Sequence, residues 1–132
     1  MKGFKGNIEE DTLENTNFRK VLYTAKHLQL VLMSLKVGED IGAEIHPNID
    51  QFFRFESGTG KCIIDETEYT VKSGDVIVVP AGAKHNIINT DKETELKMYT
   101  IYAPPNHKHD TIRATKEEAE KNEEKFDGKL SE

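Results

Sequence analysis

The chain has 132 residues, 36% of them hydrophobic and 32% charged, with a formal net charge of −6. That length suits one domain with a real core, and the apolar share is too high for disorder throughout. No window reaches the ~18 consecutive apolar residues of a membrane span, and an acidic chain without a basic run is a poor partner for nucleic acid. The N-terminal lysines are followed by no apolar run, so no secretory signal is expected. The single cysteine, Cys62, forms no internal disulfide and no thiolate metal site, and the expected compartment is the cytoplasm.

Residues 1–19 are polar, with Gly3 and Gly6, and read as an irregular lead-in with room for one early strand. From Lys20 the texture changes. Lys20–Lys26 and Leu28–Val37 are rich in Val, Leu, Tyr and Met, and both read as strands, the second buried on both faces. Seven shorter strands follow: Ala43–His46, Asp50–Glu56, Lys61–Asp65, Thr67–Val71, Asp75–Val79, Lys84–Asn89 and Glu95–Tyr102. Turn formers separate them, among them Pro47-Asn48, Ser57-Gly58-Thr59-Gly60, Ser73-Gly74-Asp75 and Pro80-Ala81-Gly82. Many short strands with regular turns predict an all-β antiparallel sandwich or barrel. Pro104-Pro105 ends the last strand, because proline donates nothing to a ladder. The order of units is then a lead-in over 1–19, a barrel over 20–105 and a polar C-terminal extension over 106–132. In the extension, Thr115-Lys116-Glu117-Glu118 has the form of a capping box and starts a short helix over 116–125.

Four side chains carry the sharpest chemical signal. Glu44 and His46 are two apart on a strand and point to one face. Gln51 begins the next strand, and a hairpin return over Pro47-Asn48 brings it beside that face. His85 opens the strand after Pro80-Ala81-Gly82. If that strand lies alongside, Glu44, His46, Gln51 and His85 converge. Two imidazoles and one carboxylate make a facial metal set with open positions, and Gln51 can add a neutral oxygen. Without a thiolate the set suits one divalent ion, with Fe, Mn, Ni and Zn all open.

The spacing around these residues resembles the cupin family. Gly38-x5-Glu44-x-His46-x4-Gln51-x6-Gly58 is similar to the first cupin motif, G-x5-H-x-H-x3,4-E-x6-G. Gly74-x5-Pro80-x-Gly82-x2-His85-x3-Asn89 matches the second, G-x5-P-x-G-x2-H-x3-N, at every fixed position. The 15 residues from Thr59 to Ser73 between the motifs are typical of small bacterial cupins, and the resemblance covers about residues 20–103. It implies a double-stranded β-helix, a jelly-roll barrel with one metal site inside, and a homodimer. Two positions depart from the pattern: Glu44 replaces the first histidine and Gln51 replaces the glutamate. The carboxylate has moved to another strand. Phosphomannose isomerases of the cupin type are similar in inventory, with amide and carboxylate exchanged. The stretches around Glu44-Ile45-His46-Pro47-Asn48 and Tyr99-Thr100-Ile101-Tyr102 resemble short bacterial cupins often labelled only as cupin or mannose-6-phosphate-isomerase-like.

Other residues divide between structure and function. Phe53 and Phe55 share the face of Gln51 and are expected to line the barrel interior near the metal. Asn89 is expected to bond a loop. On the last strand either Tyr99 and Ile101 or Met98, Thr100 and Tyr102 face inward, and both rows are mixed. His107-x-His109-Asp110 reads either as a solvated tail or as a segment folded over the barrel mouth, and Gly128–Glu132 is expected to be loosely held. Lys84 and Arg54 are the basic residues expected near the barrel. Two functions compete: a metal-dependent enzyme on a small polar, sugar-type molecule, as isomerase or dioxygenase, and a non-catalytic metal or small-ligand module such as a sensor. A sensor needs an output domain, for which 132 residues leave no room; this favours an enzyme or a partner-dependent module, and of the two the enzyme is expected.

Overall fold

A computed structural model describes residues 1–132. The chain opens with α1 (Ile8–Glu14) and continues into β1 (Arg19–Thr24), β2 (Gln29–Leu35), β3 (Glu44–Ile45) and β4 (Asp50–Ser57). The hairpin β5 (Thr59–Ile64) and β6 (Thr67–Lys72) precedes β7 (Val76–Val79), β8 (Lys84–Asn89) and β9 (Leu96–Ala103). The extension holds β10 (Ile112–Arg113) and α2 (Lys116–Lys121). No helix is long and apolar enough to cross a membrane. Every predicted strand is present, with shifted ends. The β5–β6 hairpin lacks a glycine at its turn, and Asp65 takes the left-handed backbone there at φ 49°.

The strands form two antiparallel sheets, one of order β10-β1-β2-β9-β4-β7 and one of order β3-β8-β5-β6. This is the jelly-roll arrangement expected from the sequence. The inward rows of the large sheet change character along their length. On β2 the row runs Leu35, Met33, Val31, Gln29; on β9 it runs Leu96, Met98, Thr100, Tyr102; on β4 it runs Phe55, Phe53, Gln51. Register aligns the three, with Leu35 opposite Leu96 at one end and Gln29 and Gln51 both opposite Tyr102 at the other. One end of the barrel is therefore closed by hydrocarbon, and the other presents polar groups. Burial of such a row is worth roughly 1.5–3 kcal/mol per large apolar side chain. Gly58 sits at the closed end with φ 85°, and an added Cβ would stand 2.6 Å from the Glu95 carbonyl oxygen. Asn89 seals the same end, its Nδ2 donating to the carbonyls of Leu35 and Thr94.

Three expectations are corrected. The lead-in is not irregular: Asn7 caps α1 by accepting from the Glu10 N–H at 3.0 Å, and acidic residues fill the first turn. This segment covers the outer face of β2, which is why Leu32 and Ser34 are buried although they point away from the barrel. The turn at Pro47-Asn48 is not a hairpin. β3 belongs to the small sheet and β4 to the large one, so the chain turns a corner between layers. The terminal residues are also tied down. Ser131 N–H donates to Thr24 O at 2.9 Å, and the Glu132 carboxylate accepts from Lys2 and Gly3 N–H and from the Tyr23 hydroxyl.

Candidate metal centre

The polar end of the barrel gathers the predicted ligands. Glu44 and His85 are direct cross-strand partners of β3 and β8, so both project from adjacent strands into the mouth. His46 follows one residue beyond β3, and its Nε2 lies 2.9 Å from Glu44 Oε2. The donor atoms of Glu44, His46 and His85 all lie within 4.8 Å of one another. Two ligands held about 2.1 Å from one ion stand roughly 3 Å apart at right angles, so the set needs only a small inward adjustment to share a cation. His85 Nδ1 faces the Ala83 carbonyl at 3.3 Å, which turns Nε2 toward the centre of the barrel. Its ring is 5.4 Å from that of His46.

Gln51 reaches the mouth from the opposite sheet, across the barrel rather than beside Glu44. Its Nε2 donates to Thr100 Oγ1 at 2.9 Å, while its Oε1 is buried and has no hydrogen-bond partner. A buried acceptor left unpaired is costly, and a cation at this position satisfies it. Phe53 packs beneath His85, with ring centroids 6.3 Å apart, and Phe55 stacks on Phe53 one layer deeper. Both are core side chains that support the site from below, and neither lines the cavity at the mouth.

Electrostatics follow from burial and charge. Desolvation works against the Glu44 carboxylate, but the His46 hydrogen bond and the fields of His46, Arg19 and His85 outweigh it and hold its carboxyl below the usual range. Burial pushes the His85 imidazole down, toward the neutral form that ligates metals.

A cavity of about 250 Å³ lies above these residues. Of its twelve lining residues only Ile45 is apolar. Much of its wall comes from the C-terminal extension, which folds over the mouth. The strap is held by Gln29, a fully buried amide: Oε1 accepts from Asn106 and His107 N–H, and Nε2 donates to the His107 carbonyl. β10 adds a sixth strand to the large sheet, pairing Arg19 with Arg113. His107 therefore stands in the site, its Nε2 3.2 Å from the Tyr102 hydroxyl. His109 does not line the cavity, and its buried Nδ1 has no partner. The inward row of β9 is Met98, Thr100 and Tyr102, which places Tyr102 between His46 and His107 at ring distances of 5.9 and 5.0 Å. Burial pushes the Tyr102 hydroxyl up to about 12. Burial also holds His107 well below its ordinary value, with the fields of Arg19 and His46 adding to the effect.

The basic residues at the mouth are Arg19, Arg113 and Lys125, not Lys84 or Arg54. Lys84 is exposed, and Arg54 pairs with Glu56 away from the mouth. No local signal marked Arg19, because only the pairing of β10 with β1 brings the strap to it.

Comparison with known proteins agrees with this architecture. The family described as Cupin domain matches residues 31–102. The chain is 49% identical over 124 residues to the uncharacterised protein YrkC of Bacillus subtilis, spanning 89% of this chain and 66% of that protein. A protein of Acanthamoeba polyphaga mimivirus is 47% identical over 104 residues, spanning 76% of this chain and 65% of that one. The chain thus spans just under two thirds of the length of these curated relatives. The crystal structure of BH2720 from Bacillus halodurans superposes with a TM-score of 0.89 at 44% identity, covering 92% of this chain and 96% of the other.

Proposed function

We propose, from the premise that this chain belongs to the cupin family, that it is a metal-dependent enzyme acting on a small polar molecule held above Glu44, His46, Gln51 and His85. The observation that carries the reading is the convergence of three donor atoms at the polar end of the barrel, supported by the buried, unpartnered Gln51 oxygen on the facing sheet. A divalent ion bound there supplies Lewis-acid polarisation of a substrate oxygen, or redox chemistry with O₂ if the ion is iron. The chain supplies the rest. The polar wall orients a hydroxyl-bearing, sugar-type substrate, and the strap limits water. The Tyr102 hydroxyl and His107 Nε2 are hydrogen-bonded at 3.2 Å, which orients both polar groups over the mouth to contact a bound molecule. Isomerisation and oxygenation both fit a divalent ion with open positions facing this wall. A single buried thiol, Cys62, accords with a reducing, cytoplasmic setting.

The test is metal content after purification without added metal. Wild type is expected to carry about one ion per chain. His46→Ala and His85→Ala should each lose it, and Glu44→Gln should bind far more weakly while keeping its shape. Full metal in both alanine variants sinks the reading. Iron would direct the substrate search to oxygen chemistry and zinc to isomerisation.

A further inference from the structure

Arg19 opens β1 on the cavity wall, and the reading above gives it no role. Other cations near the mouth are engaged. Lys108 pairs with Glu124 at 3.1 Å and Lys116 with Asp40 at 2.5 Å. Arg113, across the ladder from Arg19, donates to the carbonyls of Ile112 and Asn122 at 3.0 and 3.1 Å. Arg19 pairs with no carboxylate and no carbonyl. Its guanidinium carbon rests 5.3 Å from the Phe18 ring centroid, its charge acts on the Tyr102 hydroxyl, and its Nε, like that of Arg113, is buried with no hydrogen-bond partner. On the same wall the hydroxyl of Thr111, a residue only 6% exposed, is buried and equally unpartnered.

A guanidinium fork and a hydroxyl on one wall are complementary to an oxyanion. The charge balance points the same way. Glu44 is the one acid in the donor set, so a divalent ion leaves that set with one net positive charge, and Arg19 adds another. Glu123 and Lys125 stand at the exposed rim, where their opposite charges offset and are screened by solvent. Arg113, which donates only to neutral carbonyls, adds a third. A half-enclosed polar cavity with three uncompensated positive charges takes an anion in preference to a neutral molecule.

We infer that Arg19, with Thr111 on the same wall, holds the carboxylate or phosphate group of the substrate while the substrate's neighbouring oxygens face Glu44, His46 and His85. The substrate class is then a small anionic hydroxy or oxo compound, not a neutral sugar. This rests on the metal reading only for the second half of the contact, so the two can fail separately.

The experiment titrates metal-free and Mn(II)-loaded protein with glycolate, inorganic phosphate and glycerol by calorimetry, in wild type, Arg19→Met, Arg19→Lys and Thr111→Val. Wild type should bind one of the two anions at a single site and bind glycerol undetectably. Arg19→Met should lose at least about tenfold in anion affinity at unchanged Mn(II) stoichiometry, with Arg19→Lys intermediate because it keeps charge without the fork. Preference for glycolate or phosphate identifies the anionic group. If Arg19→Met fails to fold, Arg19→Lys and Thr111→Val carry the test, and unchanged anion affinity in both overturns the inference. Mn(II) uptake with no anion binding, or with equal binding in Arg19→Met, overturns it and leaves the metal reading standing. Arg19-dependent anion binding without Mn(II) uptake does the reverse.

Discussion

Gln51 occupies the place where the first motif carries glutamate, and the exchange of one terminal group decides its chemistry. As an amide it spends Nε2 on Thr100 and leaves Oε1 free. As a carboxylate it would keep the Thr100 contact, because the hydroxyl can turn and donate, and it would bring a second negative charge to the donor set. Gln51→Glu is therefore expected to raise divalent-metal affinity by roughly tenfold or more, since ligand charge count governs affinity in oxygen-bearing sites. Competition against a chelator of known strength measures this, and unchanged affinity removes Gln51 from the ligand set. At this scale the sequence is informative where spacing within a strand pair suffices. Glu44, His46, Gln51 and His85 follow from two motifs. Arg19, Tyr102 and His107 do not, because each enters the site through a pairing between segments far apart in the chain: Arg19 through Arg113, Tyr102 through Gln29, and His107 through the same Gln29.

Among the elements, the strap depends on Gln29 and on one ion pair. Gln29→Ala would strand the N–H groups of Asn106 and His107 in a buried place, at about 1–3 kcal/mol for each unsatisfied group. The expected result is a loss of about 2–4 kcal/mol in denaturant unfolding, together with faster proteolysis between 106 and 115. A variant as stable as wild type would show that the strap is held elsewhere. The second anchor is Asp40, whose carboxyl is held below its ordinary value by the hydrogen bond from Lys116 at the start of α2, and then by that from Asn86. A depressed carboxyl stabilises the fold above the unfolded-chain value near 3.8 and ceases to do so as pH falls through the folded one. Asp40→Asn should thus be less stable than wild type at neutral pH, with the gap closing below about pH 3–4. A gap that stays constant down to pH 2 would contradict the assignment. Strand positions were legible because alternation and turn residues repeat locally. α1 was not, because it is a polar helix with only Thr12 buried, and its one signal is the cap at Asn7.

The molecule as a whole leaves one apolar surface uncovered. On the outer face of the large sheet, Val76 and Val78 of β7 are 50% and 61% exposed, and beside them Phe52 and Tyr99 lie with rings 6.2 Å apart. β7 is also one of the two edge strands of that sheet. We propose that a second copy of this chain docks on this face to form a homodimer. Sedimentation at tens of micromolar, on the order of a modest dimer affinity, should show a dimer, and Val78→Asp should shift it to monomer without unfolding it. A wild-type monomer at that concentration would remove the proposal. The strand order has a consequence in time. In the large sheet only β1 and β2 are joined by a short turn; β2 pairs with β9 and β1 with β10 across most of the chain. Contacts so remote in sequence close slowly and late. Glu44 and Gln51 belong to different sheets, so their meeting waits for the layers to dock. An ion could not seed folding at a place that exists only once folding is nearly done. Its binding would slow unfolding and leave the rate of folding unchanged.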